Sequence, residues 1–173
     1  SSVGINLYGE SGTGKSITAE AIANSLGRKI IKVDYSEIQD SKWGATEKNL
    51  TQLFKTAEQE GAVIFLDEAD GLLSKRSTTI SSTSEASNGI KAHLLTLVDR
   101  CNVIIIYATN LFRNFDSAFY RRILFHISYP MPKASELEKL WKFHIDKLPK
   151  DEQNFSYETI ARLSEGYIAG GDI

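Results

Sequence analysis

At 173 residues, with 42% apolar and 24% charged side chains, the chain has the composition of an ordinary globular protein of one domain, or one domain and part of a second. Its net charge of −2 supplies no electrostatic footprint for nucleic acid or an anionic membrane surface. No apolar run reaches the roughly 18 residues of a membrane span, no basic-then-apolar secretory segment opens the chain, and the single cysteine, Cys101, excludes an internal disulfide and agrees with a reducing compartment, the cytoplasm or the nucleus.

Strand and helix signals alternate along the chain. Val3–Tyr8 reads as a strand and Gly14–Leu26 as a helix. Lys29–Val33 is the next strand and Glu47–Glu60 the next helix. Ala62–Leu66 is solidly apolar and reads as a third strand, followed by a helix over Glu85–Arg100. Val103–Ala108 and Leu124–Tyr129 are the fourth and fifth strands. Continuous apolar runs of this kind predict strands buried on both faces of a parallel sheet. Their alternation with helices predicts a doubly wound α/β layer. After Pro130-Met131-Pro132 the pattern changes to two helices, Ala134–Leu148 and Tyr157–Ser164, with no strand between them. The expected division is an α/β domain over 1–132 and the start of a small helical domain over 133–173. Ser77–Ser84, nearly all Ser and Thr, reads as a surface loop. The chain begins just before a core strand and stops soon after Gly170-Gly171, so it is expected to be a piece of a longer protein.

Gly9-Glu10-Ser11-Gly12-Thr13-Gly14-Lys15-Ser16 fits G-x-x-x-x-G-K-[ST] between a strand and a helix, the context in which such a loop cradles phosphate. Glycines let the backbone curl without a Cβ clash. The curl turns N–H groups inward at a helix N-terminus, where the dipole adds positive potential. Glu10, Ser11, Gly12, Thr13, Gly14, Lys15, Ser16 and the adjoining Ile17 are therefore the candidate nucleotide contacts, with Lys15 on the β- and γ-phosphates and the Ser16 hydroxyl on Mg²⁺. Farther on, Val63-Ile64-Phe65-Leu66 ends in Asp67-Glu68. Open α/β sheets bind ligands at the carboxyl ends of their strands, so these acids are expected where the phosphates lie. Asp67 would hold Mg²⁺ and Glu68 would orient and polarise the attacking water, a division suited to a reaction governed by positioning and charge neutralisation. ATP and Mg²⁺ are the implied cofactors.

Further stretches, in order, resemble AAA+ ATPases, nearest to the katanin and spastin group. They are Ser36–Leu50, Glu85–Ala92, Ala108-Thr109-Asn110, Phe115–Pro132, Leu137–His144 and Gly166–Ile173. The resemblance covers nearly the whole chain. It implies a P-loop α/β sandwich with strand order 5-1-4-3-2, a helical lid domain, and a ring, usually hexameric, of identical subunits. It also implies that Asn110 helps place the water, and that Arg121 and Arg122 act as arginine fingers on ATP held by the neighbouring subunit. His144, Gly170 and Gly171 would lie near the base and sugar. Lys42, Trp43 and Gly44 would form a loop that grips a polypeptide substrate. Two departures stand out. Trp43 directly precedes Gly44 where the family has aromatic, apolar, Gly, and Asn88-Gly89 replaces a pair of arginines that serve communication between subunits. The leading functional expectation is an ATP-driven protein remodeller or translocase. A nucleic-acid motor or clamp-loader-type protein, and an ATP-state switch or assembly chaperone without threading, remain as alternatives.

Overall fold

The computed structural model describes residues 1–35, 45–75, 82–110, 115–147 and 156–169. The backbone gathers into two compact units, one of Ser1–Tyr8 with Ser16–Ser128 and one of Gly9–Lys15 with Tyr129–Ile173. In chain order the elements are β1 (Val3–Gly9), α1 (Lys15–Ser25), β2 (Ile30–Asp34), α2 (Ala45–Glu60), β3 (Val63–Asp67), α3 (Asp70–Leu73), α4 (Ser82–Arg100), β4 (Ile104–Thr109), α5 (Ser117–Tyr120), β5 (Ile123–Tyr129), α6 (Ala134–Ile145) and α7 (Tyr157–Ser164).

The first unit is built on a five-stranded sheet in the order β2-β3-β4-β1-β5, the expected order read from the opposite edge. The pairs β1–β4, β2–β3 and β3–β4 are parallel, with Val3 opposite Ile104, Ile30 opposite Val63, and Val63 opposite Ile104. This register brings strand ends level. Asp34 stands opposite Asp67, and Tyr8 opposite Thr109. The acids that end β3 and the polar residues that end β4 thus share one edge of the sheet, where parallel α/β sheets place their ligands.

The apolar runs dictate where the core sits. Ile64 and Leu66 of β3, Ile105 and Tyr107 of β4, Phe54 of α2, Leu72 and Leu73 of α3, and Leu94 and Val98 of α4 form one buried cluster. Fully burying each such side chain contributes about 1.5–3 kcal/mol. Tyr107 also meets Phe119 of α5 edge-on, ring centroids 6.5 Å apart. The helices are tied together by polar contacts. His93 Nε2 lies 2.9 Å from Thr51 Oγ1 and 3.1 Å from the Glu47 carbonyl, linking α4 to α2. The buried Lys91 ammonium donates to the Ser74 carbonyl at 2.8 Å.

Two expectations need correction. β3 and β4 are buried on both faces, but β5, at the edge where the resemblance puts it, is not: it exposes Leu124, Phe125 and Ile127. An edge strand has a neighbour on one side only, so an apolar sequence there does not guarantee burial. Within the stretch read as a Ser/Thr loop, α4 already begins at Ser82, since Ser and Thr suit the start of a helix as well as a loop. Gly89 lies within α4, which continues through it despite a cost of about 1 kcal/mol relative to Ala.

Beside β5, the His126 ring stacks on Tyr120 at 4.6 Å and meets Phe115 edge-on at 5.8 Å. Its Nδ1 lies 3.4 Å from Asn6 Nδ2. Burial pushes the His126 pKa down, so the ring sits neutral in this aromatic seat.

In the second unit α6 and α7 pack as a helical pair. Leu137, Ile145 and Ala161 are buried, and Trp141 Nε1 donates to Ser164 Oγ at 3.1 Å. The Tyr157 hydroxyl donates to Asp146 Oδ1 at 2.9 Å. Ser156 caps α7 by accepting from Thr159 N.

Candidate active site

The loop after β1 owes its path to glycine. Gly9, Gly12 and Gly14 have φ of 151°, 74° and 98°, a region that other residues rarely enter. A Cβ on Gly9 would stand 2.1 Å from the Tyr129 carbonyl oxygen, so only glycine fits there. A Cβ on Gly14 would meet nothing within 4 Å, so there the positive φ and not crowding favours glycine. Lys15 is buried, with 8% of its surface exposed. Its ammonium donates to the Gly9 carbonyl at 2.8 Å and the Glu10 carbonyl at 2.7 Å. The Thr13 hydroxyl donates to the Glu10 carbonyl at 2.8 Å, tightening the same curl. Ser11 and Ile17 are exposed.

At the sheet edge, Ser16 in the first turn of α1 donates to Asp67 Oδ2 at 3.4 Å. Sequence reading expects these two residues to share a cation, and they are brought together from 51 positions apart. They line a cavity of about 270 Å³ with Lys32, Val33, Asp34 and Phe65. A hydroxyl and a carboxylate are hard oxygen donors. Mg²⁺ is held by one or two such protein groups plus substrate phosphates and waters, so this donor set fits it.

Glu68, the next residue, is exposed and is the single non-glycine residue with positive φ (49°) among the described residues. A left-handed backbone costs a residue with a Cβ roughly 1–2 kcal/mol. Such strain concentrates at functional sites, where the surroundings hold it in place. Here Asp67 Oδ1 accepts from the Glu68 N–H at 2.9 Å, bracing the turn.

Asp70 joins the ends of β3 and β4. Its Oδ1 accepts from the Thr109 hydroxyl and, at 2.8 Å, from the Asn110 N–H. The Ala69 N–H donates to the Ala108 carbonyl at 2.9 Å across the same seam. Asp70 therefore sets where Asn110 stands. We expect Asp70→Ala to lower kcat about tenfold, the equivalent of about 1.4 kcal/mol in transition-state placement, while nucleotide affinity stays unchanged. Steady-state ATPase assays with a nucleotide titration check this, and an unaltered kcat would contradict it.

Arg121 and Arg122 have different surroundings. Arg122 Nε and Nη2 donate to the two oxygens of Asp99 at 2.7 and 2.8 Å, and Nη1 donates to the Ala118 carbonyl at 2.8 Å. That pairing holds the Asp99 carboxyl below the usual carboxylate range. Arg121 is exposed and donates Nε to the Ser117 carbonyl at 3.2 Å. In the second unit His144 sits half-buried on α6, edge-on to Phe143 at 5.3 Å. Lys42, Trp43, Gly44, Gly170 and Gly171 lie outside the described residues.

Two residues escaped the sequence reading. Asp34 ends β2 as Asp67 ends β3, and the two stand opposite each other. Its signal was an acid closing a short apolar strand. Asp70 was legible only as the last residue of Asp67-Glu68-Ala69-Asp70, with nothing local to say what it anchors.

A glycine-rich loop of this sequence between a strand and a helix, together with a parallel sheet of this order, defines a P-loop α/β domain. The profile of the ATPase family associated with various cellular activities (AAA) matches residues 5–131, and the chain belongs to that family as an ATPase domain. It is 34% identical over 176 residues to vacuolar protein sorting-associated protein 4 of Dictyostelium discoideum, an alignment covering 98% of this chain and 39% of that protein. It is 33% identical to the protein SUPPRESSOR OF K(+) TRANSPORT GROWTH DEFECT 1 of Arabidopsis thaliana, covering 96% and 39%. It is 32% identical to a cell division cycle protein 48 homolog of Archaeoglobus fulgidus, covering 98% and 24%. The chain thus spans less than half the length of these curated relatives. Among the described residues no helix is long and apolar enough to cross a membrane.

Proposed function

We propose that this chain binds ATP with Mg²⁺, hydrolyses it, and as part of a ring of identical subunits, six by family resemblance, drives the remodelling or translocation of polypeptide in a reducing intracellular compartment. The observation that carries the reading is the Ser16 hydroxyl set 3.4 Å from the Asp67 carboxylate, directly after the glycine-rich loop. Ser16 and Asp67 would hold the cation. Bound Mg²⁺ neutralises charge on the phosphates. Main-chain N–H groups of Glu10–Gly14 bind phosphate oxygens, and Lys15 adds a positive charge. Glu68 holds and polarises water, with Asn110 placing it. An arginine of the Arg121-Arg122 pair serves the nucleotide of a neighbouring copy, since a guanidinium is always charged and forks onto two oxygens. Residues 1–132 act as the large domain and 133–173 as the start of a lid, with His144, Gly170 and Gly171 toward base and sugar. The loop of Lys42, Trp43 and Gly44 contacts substrate, since an aromatic packs on many side chains without sequence preference.

The test measures ATPase rate per subunit against subunit concentration, with and without unfolded polypeptide or DNA. We expect the rate to rise with concentration and to be stimulated by polypeptide. A concentration-independent rate would remove the neighbour's arginine from the reaction. Stimulation by DNA alone would turn the reading to a nucleic-acid motor. The Asn88-Gly89 pair within α4 favours one alternative, an ATP-state switch with loose coupling between subunits.

A further inference from the structure

The geometry points to a division of labour between two adjacent arginines: Arg122 is a positioning residue locked to Asp99 of its own chain, and Arg121 alone is presented to the nucleotide of a neighbouring copy. This rests on the arginine-finger reading above and assigns it to one residue.

Three N–H groups of the Arg122 guanidinium are committed inside the chain. Two fork onto both oxygens of Asp99, in the last turn of α4, at 2.7 and 2.8 Å, and the third reaches the Ala118 carbonyl of α5 at 2.8 Å. A planar two-point match of this kind fixes orientation as well as distance. The backbone of the same residue is also seated. A Cβ on Gly4 of β1 would stand 3.0 Å from the Arg122 carbonyl oxygen and 3.1 Å from Ile123 Cα, so β1 lacks a side chain where this corner packs against it. The pairing is mutual: Asp99 is held below the ordinary carboxylate range and Arg122 above the ordinary guanidinium value, each chiefly by the hydrogen bonds between them. Arg122 therefore ties α4, α5 and the start of β5 at one point.

Arg121 is held otherwise. It ends α5, is exposed, and gives one N–H to the Ser117 carbonyl at 3.2 Å. No ion pair involving Arg121 is found among the described residues. Moving Arg122 to another subunit requires breaking a two-point ion pair, whereas Arg121 leaves a single neutral acceptor. Anchoring the neighbouring residue confines the corner from which Arg121 extends, and preorganised charge is what an arginine finger supplies.

The experiment removes the carboxylate and keeps both arginines. In the full-length protein, ATPase rate per subunit at saturating ATP, nucleotide affinity and thermal midpoint are measured for Asp99→Asn, Arg122→Ala, their double variant, Arg121→Ala, and the exchange Asp99→Arg with Arg122→Asp. We expect Asp99→Asn and Arg122→Ala each to lower kcat about tenfold with nucleotide affinity unchanged. The double variant should fall no further than either single one, because both remove one interaction, and the exchange should recover the rate to within about threefold. Arg121→Ala should lower kcat at least a hundredfold. A parental or faster rate in Asp99→Asn beside a crippled Arg122→Ala would overturn the assignment, since freeing Arg122 would then have left a working finger intact. An exchange variant that regains the parental thermal midpoint but stays as slow as Arg122→Ala would do the same. A parental rate in Arg121→Ala beside a crippled Arg122→Ala would overturn it as well, whereas parental rates in both arginine variants strike at the finger reading itself, so the two failures are told apart.

Discussion

Glu68→Gln is expected to bind ATP with the affinity of the parent and to turn it over about 10²- to 10⁴-fold more slowly, the range contributed by a positioned general base. The amide keeps the size and the hydrogen-bonding reach of the acid but cannot take a proton at neutral pH. The backbone that aims the side chain is independent of that change. Its φ of 49° is set by the turn leaving β3 and by the N–H that it donates to Asp67 Oδ1 at 2.9 Å. Binding and chemistry should therefore separate cleanly. A nucleotide titration measures the first and single-turnover hydrolysis the second. A variant that hydrolyses at the parental rate would remove Glu68 from the base role.

Lys15→Ala is expected to lose nucleotide affinity by roughly 10- to 150-fold, since a hydrogen bond to a charged group contributes about 1.5–3 kcal/mol. The Lys15 ammonium is already held by the loop, bonded to the Gly9 and Glu10 carbonyls, so little side-chain freedom remains to be lost when a phosphate is bound. Alanine removes the charge and these internal ties, so both the ligand and the loop lose support. Isothermal titration with ATP and with ADP reads the effect, and we expect the larger loss for ATP. Unchanged affinity for both would contradict the placement of Lys15 on the phosphates.

How far the sequence could be read follows from range. The loop from Gly9 to Ser16 is contiguous, and its chemistry needs each residue type at its spacing, so it was legible without a fold. Strands β3 and β4 were legible because they are apolar throughout and buried on both faces. The proximity of Ser16 and Asp67 was an inference from strand ends, and the structure supplies the distance. What could not be read was pairing between distant residues. Asp70 reaches Thr109 and Asn110, 39 and 40 positions on, and Asp99 holds Arg122, 23 positions on. No local pattern marks either pair, because each depends on which helix ends the sheet order brings together. The exposure of β5 was hidden for a related reason. Leu124, Phe125 and Ile127 look like core residues from the apolar run alone, and the edge position implied by the resemblance did not say which faces of the strand are covered.

The backbone at Glu68 sets durability against turnover. Position 68 occupies a conformation in which glycine would rest more easily than any residue with a side chain. The acid is thus kept where the fold alone would not choose it. A population of variants selected for heat tolerance, with no demand for catalysis, would drift toward glycine there and become sturdier and inert. Glu68→Gly is therefore expected to raise the thermal midpoint while removing the carboxylate proposed to hold the attacking water.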